Sequence, residues 1–206
     1  MGKKLGIGCI VLGVMCLLVA VGCVIYNNYE AKAGEQTSRA LLEKVQASIY
    51  GAEDTQQENL ADGILPGEMQ SPATGQMFTV SAGEYASIGI LSIPVLELEL
   101  PVLTDWSYEK LRKAPCHYYG SLETSDFVIA AHNYAAHFGK LSQLQPGDLV
   151  LFLDATGQTH CYEVVLLETL LPTATEEMIT SGFDLSLYTC TPGGANRVTA
   201  RCNLKK

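Results

Sequence analysis

The sequence has few positive charges, and this limits the partners that the protein can bind. Lys and Arg together number 13 against 22 Asp and Glu, so the net charge is −9 at pH 7. Segment 45–109 contains acidic residues and no Lys or Arg. Because nucleic-acid binding requires cations that neutralise phosphates, no nucleic-acid partner is expected. No Gly-rich phosphate loop occurs either, since the pair Gly193 and Gly194 is not followed by Lys-Ser or Lys-Thr.

Two common hydrolase motifs are also missing from the sequence. There is no Gly-x-Ser-x-Gly elbow for a serine nucleophile and no His-Glu-x-x-His helix for zinc. His137 follows His132 by five residues, but no carboxylate or thiol follows at ligand spacing, so we expect no metal or cofactor and interpret His137 as an exposed loop residue. His117 and His160 show no partner pattern and are predicted to lie on the surface. A cysteine nucleophile remains as the candidate chemistry.

The N-terminus has the pattern of a membrane anchor. Lys3 and Lys4 precede the uncharged run 5–25, which as a helix would extend about 30 Å, the thickness of the hydrocarbon core of a bilayer. The positive-inside rule predicts a single-pass anchor over residues 1–29, with a cytoplasmic N-terminus and an extracellular remainder. A cleaved signal peptide and a lipoprotein signal ending at Cys23 are alternatives. Each of them delivers the rest of the chain to the same side.

A helix and a linker are predicted after the anchor, over residues 30–77. Leu41, Val45 and Ile49 are spaced four residues apart, which predicts a short amphipathic helix that would form a membrane-proximal stalk. Segment 51–77 is rich in Gln, Glu, Asp, Gly, Pro and Ser, and it has too few apolar residues to bury a core of its own. It is interpreted as a flexible linker.

Short β-like runs fill residues 78–206, which we interpret as one catalytic domain. Turn formers such as those at 154–157 separate most of these runs. This number of short strands predicts an antiparallel barrel or sandwich, with one short helix over 107–113. The predicted strands are 88–93, 96–103, 127–131, 148–153, 161–171, 185–190 and 197–203.

The seven cysteines are not equally suited to act as a nucleophile. Cys9, Cys16 and Cys23 recur at every seventh position of the anchor, which is a packing pattern. Free buried cysteine is the commoner state for Cys116. A disulfide between Cys161 and Cys202 stays open, because both lie in predicted strands and the compartment is oxidising.

Cys190 is the strongest candidate for a reactive thiol. It ends a predicted strand and precedes Thr191-Pro192-Gly193-Gly194, so the thiol would be held rigidly and yet be reachable. A hairpin would bring Arg197 back towards it, and a fixed cation there suits a developing oxyanion. His132 ends the apolar strand 127–131 and could serve as acid and base.

Several segments occur in the order seen in sortases, and the domain resembles that family from about residue 88 to 202. The combination of a Leu-x-Thr-Cys strand end, a downstream Arg and an upstream His after an apolar strand is specific to it. The matching segments are 89–94, 100–103, 114–115, 131–133, 138–141, 146–148 and 187–192.

The resemblance implies a mainly β fold, an eight-stranded sortase-type barrel with short helices after an N-terminal transmembrane helix. It also implies a cysteine transpeptidase on a Gram-positive cell surface, with Cys190, His132 and Arg197 as catalytic residues. Such enzymes cleave a C-terminal sorting signal of secreted proteins, often Leu-Pro-x-Thr-Gly. They then transfer the acyl group to an amine of a peptidoglycan precursor or a pilin lysine. No cofactor is implied.

The sequence departs from the family pattern at two places. Ser186 replaces the usual Thr of the Thr-Leu-x-Thr-Cys strand, and the loop between Cys190 and Arg197 is about two residues shorter than in relatives. The short loop leaves Arg201 as an alternative functional arginine, on the same strand face as Arg197.

Substrate contacts are expected from Thr189, Ala131, Asn133 and Arg201, and Asn133 would either orient the imidazole of His132 or cap a turn. Two other functions stay open: a hydrolytic cysteine protease that uses the same thiol, and a catalytically silent, membrane-tethered binding domain.

Overall fold

The computed structural model describes residues 2–61 and 77–205, with a long helix followed by a β-domain. The helices are α1 (Gly2–Ala61), α2 (Tyr108–Leu111) and α3 (Thr175–Ile179), and two 3-10 turns lie at Pro94–Leu96 and Leu141–Gln143. The strands are β1 (Val80–Ala82), β2 (Tyr85–Ile93), β3 (Leu98–Leu103), β4 (Cys116–Tyr119), β5 (Phe127–Ala130), β6 (Leu149–Asp154), β7 (Thr159–Leu170), β8 (Leu185–Cys190) and β9 (Arg197–Leu204).

Strands β2 to β9 form a closed barrel. They are hydrogen-bonded in the order β2-β3-β4-β5-β8-β9-β7-β6, and β6 pairs with β2 to close the cylinder. Strand β1 is an additional short strand paired with β2. The predicted eight-stranded barrel is therefore confirmed, and the sandwich alternative is wrong.

Two pairs of strands in the barrel are parallel, so the prediction of an antiparallel barrel is wrong for these two pairs. Strand β3 is parallel to β4, and β5 is parallel to β8. The first crossover contains α2, and the second contains β6, β7 and α3. Because parallel strands end at the same edge of a sheet, the carboxyl ends of β5 and β8 lie side by side.

Alternation along the strands fills the interior of the barrel. On β5, Phe127 and Ile129 belong to the buried core, and on β8 Leu185 and Leu187 do so. Successive side chains of a strand point to opposite faces, so residues 186, 188 and 190 face outwards. The positions of the apolar residues therefore determine which side chains of β8 face outwards.

The bounds of the predicted strands are close to those found, with two omissions. Strand β8 has the predicted bounds, whereas β1 and β4 were not predicted because each has at most four residues. The predicted helix 107–113 is shorter, since Ser107 is the N-cap of α2 and its side chain accepts a hydrogen bond from the Lys110 amide at 3.1 Å.

Helix α1 packs against the barrel through the predicted apolar face. Leu41, Val45 and Ile49 are buried in a second cluster that includes Ile90 and Leu103. The segment that was interpreted as a stalk is therefore attached to the β-domain.

The boundary of the predicted linker also needs correction. Residues 51–61 continue α1 as a helix, and 62–76 lie outside the described residues. The division into domains remains a prediction.

One helix in the described residues is long and apolar enough to cross a membrane. This candidate span lies within Ile7–Gly51, near the N-terminus, and its apolar window is exposed. It agrees with the predicted anchor, although a signal sequence would have the same length and composition.

Candidate active site

Cys190 ends β8 on the outer face of the barrel. It is the cross-strand partner of Arg197, the first residue of β9. Because directly opposite residues have Cβ atoms about 5 Å apart, the side chain of Arg197 leaves β9 next to the side chain of Cys190. The connecting loop is tight: the Thr191 amide donates to the Asn196 carbonyl at 3.0 Å, and both glycines of the loop have left-handed φ angles of 81° and 76°.

Arg197 is half-buried and its guanidinium is held from one side. Its Nη1 donates to the carbonyls of Gly194 and Asn196, each at 3.1 Å. These acceptors belong to the β8–β9 loop, so the loop sets the orientation of the guanidinium, which lines the same groove as Cys190.

His132 lies two residues beyond the end of β5, next to the end of β8. In the parallel register Ala130 pairs with Tyr188, and continuing this register by two residues brings His132 opposite Cys190. Two hydrogen bonds extend the pairing: the Ala131 amide donates to the Tyr188 carbonyl at 3.1 Å, and Thr189 Oγ1 donates to the Ala131 carbonyl at 2.8 Å. These bonds fasten together the residues that immediately precede the imidazole and the thiol.

The predicted substrate contacts Thr189 and Ala131 are both buried. Their exposed fractions are 3% and 5%. In the structure they bind each other, and Ala131 also lines the groove described below.

The imidazole of His132 has an aromatic neighbour that the sequence interpretation missed. Its ring stacks on Tyr134, with ring centroids 4.2 Å apart and an interplanar angle of 10°. Its Nδ1 lies 3.3 Å from Oδ1 of Asn133, where a ring N–H would donate. Asn133 therefore contacts the imidazole, and this contact is needed if Asn133 is to orient the ring.

A groove of about 220 Å³ lies along the outer wall at Cys190. Cys190 and Arg197 line one part of it, and the β7–β8 connection covers another through Leu171, Pro172 and Met178. Two grooves of about 330 and 310 Å³ do not contain Cys190, and His132 lines none of these three grooves. The smaller groove is the candidate site because it contains the thiol and a cation.

Aromatic rings form a further wall of the groove. Tyr118 meets Tyr188 edge to face at 5.3 Å, and Trp106 lies 5.7 Å from Tyr118. Burial raises the pKa of Tyr188 above its ordinary value, so this phenol stays protonated at neutral pH. These rings offer an apolar surface to an extended peptide. The sequence analysis did not identify these rings, because they come from three separated segments of the chain.

Arg201 lies inside the fold, away from the groove. It is 1% exposed, and its Nε pairs with Glu168 at 2.7 Å. Its other nitrogens donate to the Glu177 carbonyl at 2.6 Å, to Ser186 Oγ at 2.8 Å and to the Met178 carbonyl at 3.4 Å. The guanidinium therefore fastens α3 to the outer wall of the barrel.

The other histidines are more enclosed than predicted. His137 is fully buried, and the expectation of an exposed loop residue is wrong. Its pKa is lowered to about 4 by burial first and then by His132, and the backbone of Gly34 acts weakly in the other direction. His117 is held by the carbonyls of Gly120 at 2.7 Å and Thr104 at 3.2 Å.

His160 and the remaining cysteines also have structural explanations. His160 pairs with Asp154 at 2.8 Å. Cys161 and Cys202 are free: Cys202 belongs to the core, whereas Cys161 precedes the inward Tyr162 and so faces outwards. Among the side chains that the structure describes, in residues 7–51 and 77–205, no group of three His, Cys, Asp or Glu could hold a metal ion.

Comparisons with known proteins agree on one family. The family model described as Sortase domain matches residues 91–205. No curated protein matches. Sortase A from Corynebacterium diphtheriae, a lid mutant, is 26% identical with a TM-score of 0.54, over 60% of this chain and 73% of that one.

Two further solved structures show the same fold. Sortase C1 from Streptococcus suis is 32% identical with a TM-score of 0.52, over 58% of this chain and 73% of that one. A Clostridium perfringens sortase D5 transpeptidase has a TM-score of 0.57 over 83% of this chain and 99% of that one, and its 16% identity supports the fold alone. Sortases of several classes are similar to the chain, and they do not decide its subclass.

Proposed function

This chain belongs to the sortase family, and from that membership we propose that it is a transpeptidase with Cys190 as its nucleophile. The observation that carries the proposal is the register at one barrel edge. Arg197 is the cross-strand partner of Cys190 on one side, and the parallel pairing of β5 with β8 leads to His132 on the other. Cys190 and Arg197 line one groove, and His132 follows the strand that neighbours the one ending at Cys190, which supports their assignment to one site.

The first half-reaction forms a thioester. The thiolate of Cys190 attacks the carbonyl carbon at the scissile bond of a sorting peptide, and Arg197 stabilises the tetrahedral oxyanion. As the C–N bond breaks, the leaving amine takes a proton from the imidazolium of His132. We assign the oxyanion contact to Arg197 because the donors of Arg201 are bound within the fold.

The second half-reaction transfers the acyl group to an amine. An amine of a peptidoglycan precursor or a pilin lysine attacks the thioester, and neutral His132 accepts its proton. The C–S bond breaks and the thiolate of Cys190 is regenerated. Substrate selection is assigned to the groove, where Ala131 and the aromatic wall would contact the sorting peptide.

The proposed location is the outer face of a Gram-positive membrane. The apolar helix would cross the bilayer with Lys3 and Lys4 in the cytoplasm. The barrel would then stand outside, where secreted proteins with sorting signals and cell-wall amines meet it.

A cleavage assay with the full chain in detergent micelles tests this function. A panel of Leu-Pro-x-Thr-Gly-type peptides is incubated with and without an added amine, and intact mass identifies the acyl-enzyme. Cys190→Ala should abolish the thioester, whereas the control Cys161→Ala should retain it. Peptide turnover that survives Cys190→Ala would exclude Cys190 as the nucleophile.

The same assay separates the two alternatives. A protease would give the hydrolysed product alone even with excess amine. A silent binding domain would form no acyl-enzyme with any peptide, and an alkylating probe would show no preference for Cys190.

A further inference from the structure

The imidazole of His132 has a fixed support on one face. Tyr134, on which it stacks, is 6% exposed, so the phenol ring is itself immobile. Within the described residues, the one hydrogen bond of the His132 ring is donated by Nδ1 to Oδ1 of the adjacent Asn133, and at 3.3 Å it is long. The stack therefore restrains the plane of the imidazole over the whole ring face, which the single long hydrogen bond does not.

The loop that carries Tyr134 is itself rigid. The Tyr134 carbonyl accepts hydrogen bonds from the amides of His137 and Gly139, each at 2.9 Å. A Cβ on Gly139 would come within 2.7 Å of that carbonyl oxygen, so the turn needs glycine. The ring of His137 lies 5.5 Å from that of Tyr134 and is fully buried, which closes the space beside it.

Helix α1 supports Tyr134 from behind. A Cβ added to Gly34 would lie 3.1 Å from Cδ2 and Cε2 of Tyr134 and 2.7 Å from the Arg112 carbonyl oxygen. Glu30, one turn earlier on α1, pairs with Arg112 at 3.6 Å. The close approach at residue 34 therefore brings the helix backbone against the aromatic ring.

We propose that Tyr134 is a positioning residue for His132, and that α1 holds it in place through the contact at Gly34. The inference rests on the proposed function, since it assigns His132 its proton-transfer role. It extends that function because α1 also contains the candidate membrane span. The orientation of the catalytic imidazole then depends on the anchor helix, and a fragment that begins at residue 78 lacks this support.

Two pairs of variants in the full chain, in detergent micelles, test the proposal. Tyr134→Phe keeps the stack and Tyr134→Leu removes it. Gly34→Ala adds a methyl group against the ring and the Arg112 carbonyl, whereas the methyl group of the control Gly51→Ala has no atom of the described residues within 4 Å. Tyr134→Leu should lower kcat by about tenfold with KM unchanged. Tyr134→Phe should have the kcat of the wild type. Gly34→Ala should lower kcat in the same way, while Gly51→Ala should not.

A spectroscopic readout reports the stack independently of turnover. With histidine labelled at 13Cε1, the four His give separate signals, and His132→Gln identifies that of His132. Its Hε1 resonance should be shifted upfield by the ring of Tyr134, in the wild type and in Tyr134→Phe. The shift should be lost in Tyr134→Leu and altered in Gly34→Ala.

The outcomes separate the two ideas. Wild-type kcat in Tyr134→Leu, or equal losses in Tyr134→Phe and Tyr134→Leu, would overturn the stacking role. Identical spectra for Gly34→Ala and Gly51→Ala would overturn the role of α1, and this comparison stands even if Tyr134→Leu does not fold. Failure of wild-type Cys190 to form a thioester would instead refute the proposed function, and the His132 signal would still report the stack.

Discussion

Arg197 and Arg201 lie four residues apart on the same face of β9. We predict that substitution of Arg197 affects activity, whereas substitution of Arg201 affects stability. Arg197→Gln should strongly slow the chemistry and leave stability nearly unchanged. Arg201→Gln should destabilise the fold and leave the chemistry of the folded molecules intact. The reason is that Arg197 reaches the groove at Cys190, whereas Arg201 is 1% exposed and bound to protein atoms.

The magnitudes follow from the contacts. Breaking a buried ion pair costs about 3–5 kcal/mol, and the lower end applies here because the Glu168 side chain is 30% exposed and water can solvate it. Arg197 donates to two loop carbonyls near solvent, so its loss should change the free energy of unfolding by less than about 0.5 kcal/mol. Loss of an oxyanion donor lowers kcat by about 10²–10³-fold.

Two measurements on the full chain check this pair. Urea unfolding followed by circular dichroism gives the stability, and intact mass after a pulse of peptide gives the rate of acylation. Arg197→Lys and Arg201→Lys are matched controls that keep the charge. If Arg201→Gln blocks acylation in fully folded protein while Arg197→Gln remains active, our assignment of the two arginines is reversed.

Three further predictions concern packing, pH and thiol reactivity. Leu41→Ala should lower the free energy of unfolding by about 2–5 kcal/mol in urea titrations, because Leu41 is buried between α1 and the barrel. His137 should weaken the fold as pH falls from about 6.5 to 4: its folded pKa is lowered to about 4, so the unfolded chain binds the proton first. His137→Phe should remove up to about 3 kcal/mol of that loss in urea titrations across this range. Iodoacetamide at pH 8 should alkylate Cys190 in the native protein but not Cys116 or Cys202, because burial raises the pKa of each of these two thiols to about 12.

Each of these three predictions has a control. Glu43→Ala lies on the exposed side of α1 and should leave the urea midpoint unchanged. An equally steep loss of stability with acid in His137→Phe would refute the role given to His137. Urea-unfolded protein should be alkylated at all its cysteines, and native alkylation of Cys202 would contradict its burial.

The catalytic candidates could be predicted because they sit where strands end. The runs before Cys190 and His132 are apolar and bounded by turn formers, so both side chains were expected at strand ends. The outer wall of the groove could not be predicted in this way. Trp106, Tyr118 and Tyr188 come together through two parallel crossovers, which no local pattern in the sequence encodes.

The burial of Arg201 and His137 could not be predicted from the sequence either. Arg201 and His137 are residue types that usually lie at the surface, so composition alone favours exposure. The structure buries Arg201 because α3 folds over it and supplies backbone acceptors, and it buries His137 in a turn close to α1.

By itself the sequence determined the class of fold and the long apolar helix, and it supplied the candidate thiol, imidazole and guanidinium, because these depend on local periodicity and on residue chemistry. The tertiary structure decided which arginine faces the thiol, that α1 packs against the barrel, and that Tyr134 lies against His132. Those outcomes depend on strand register and on contacts between segments far apart in the chain, whose free energies are set only when the barrel closes.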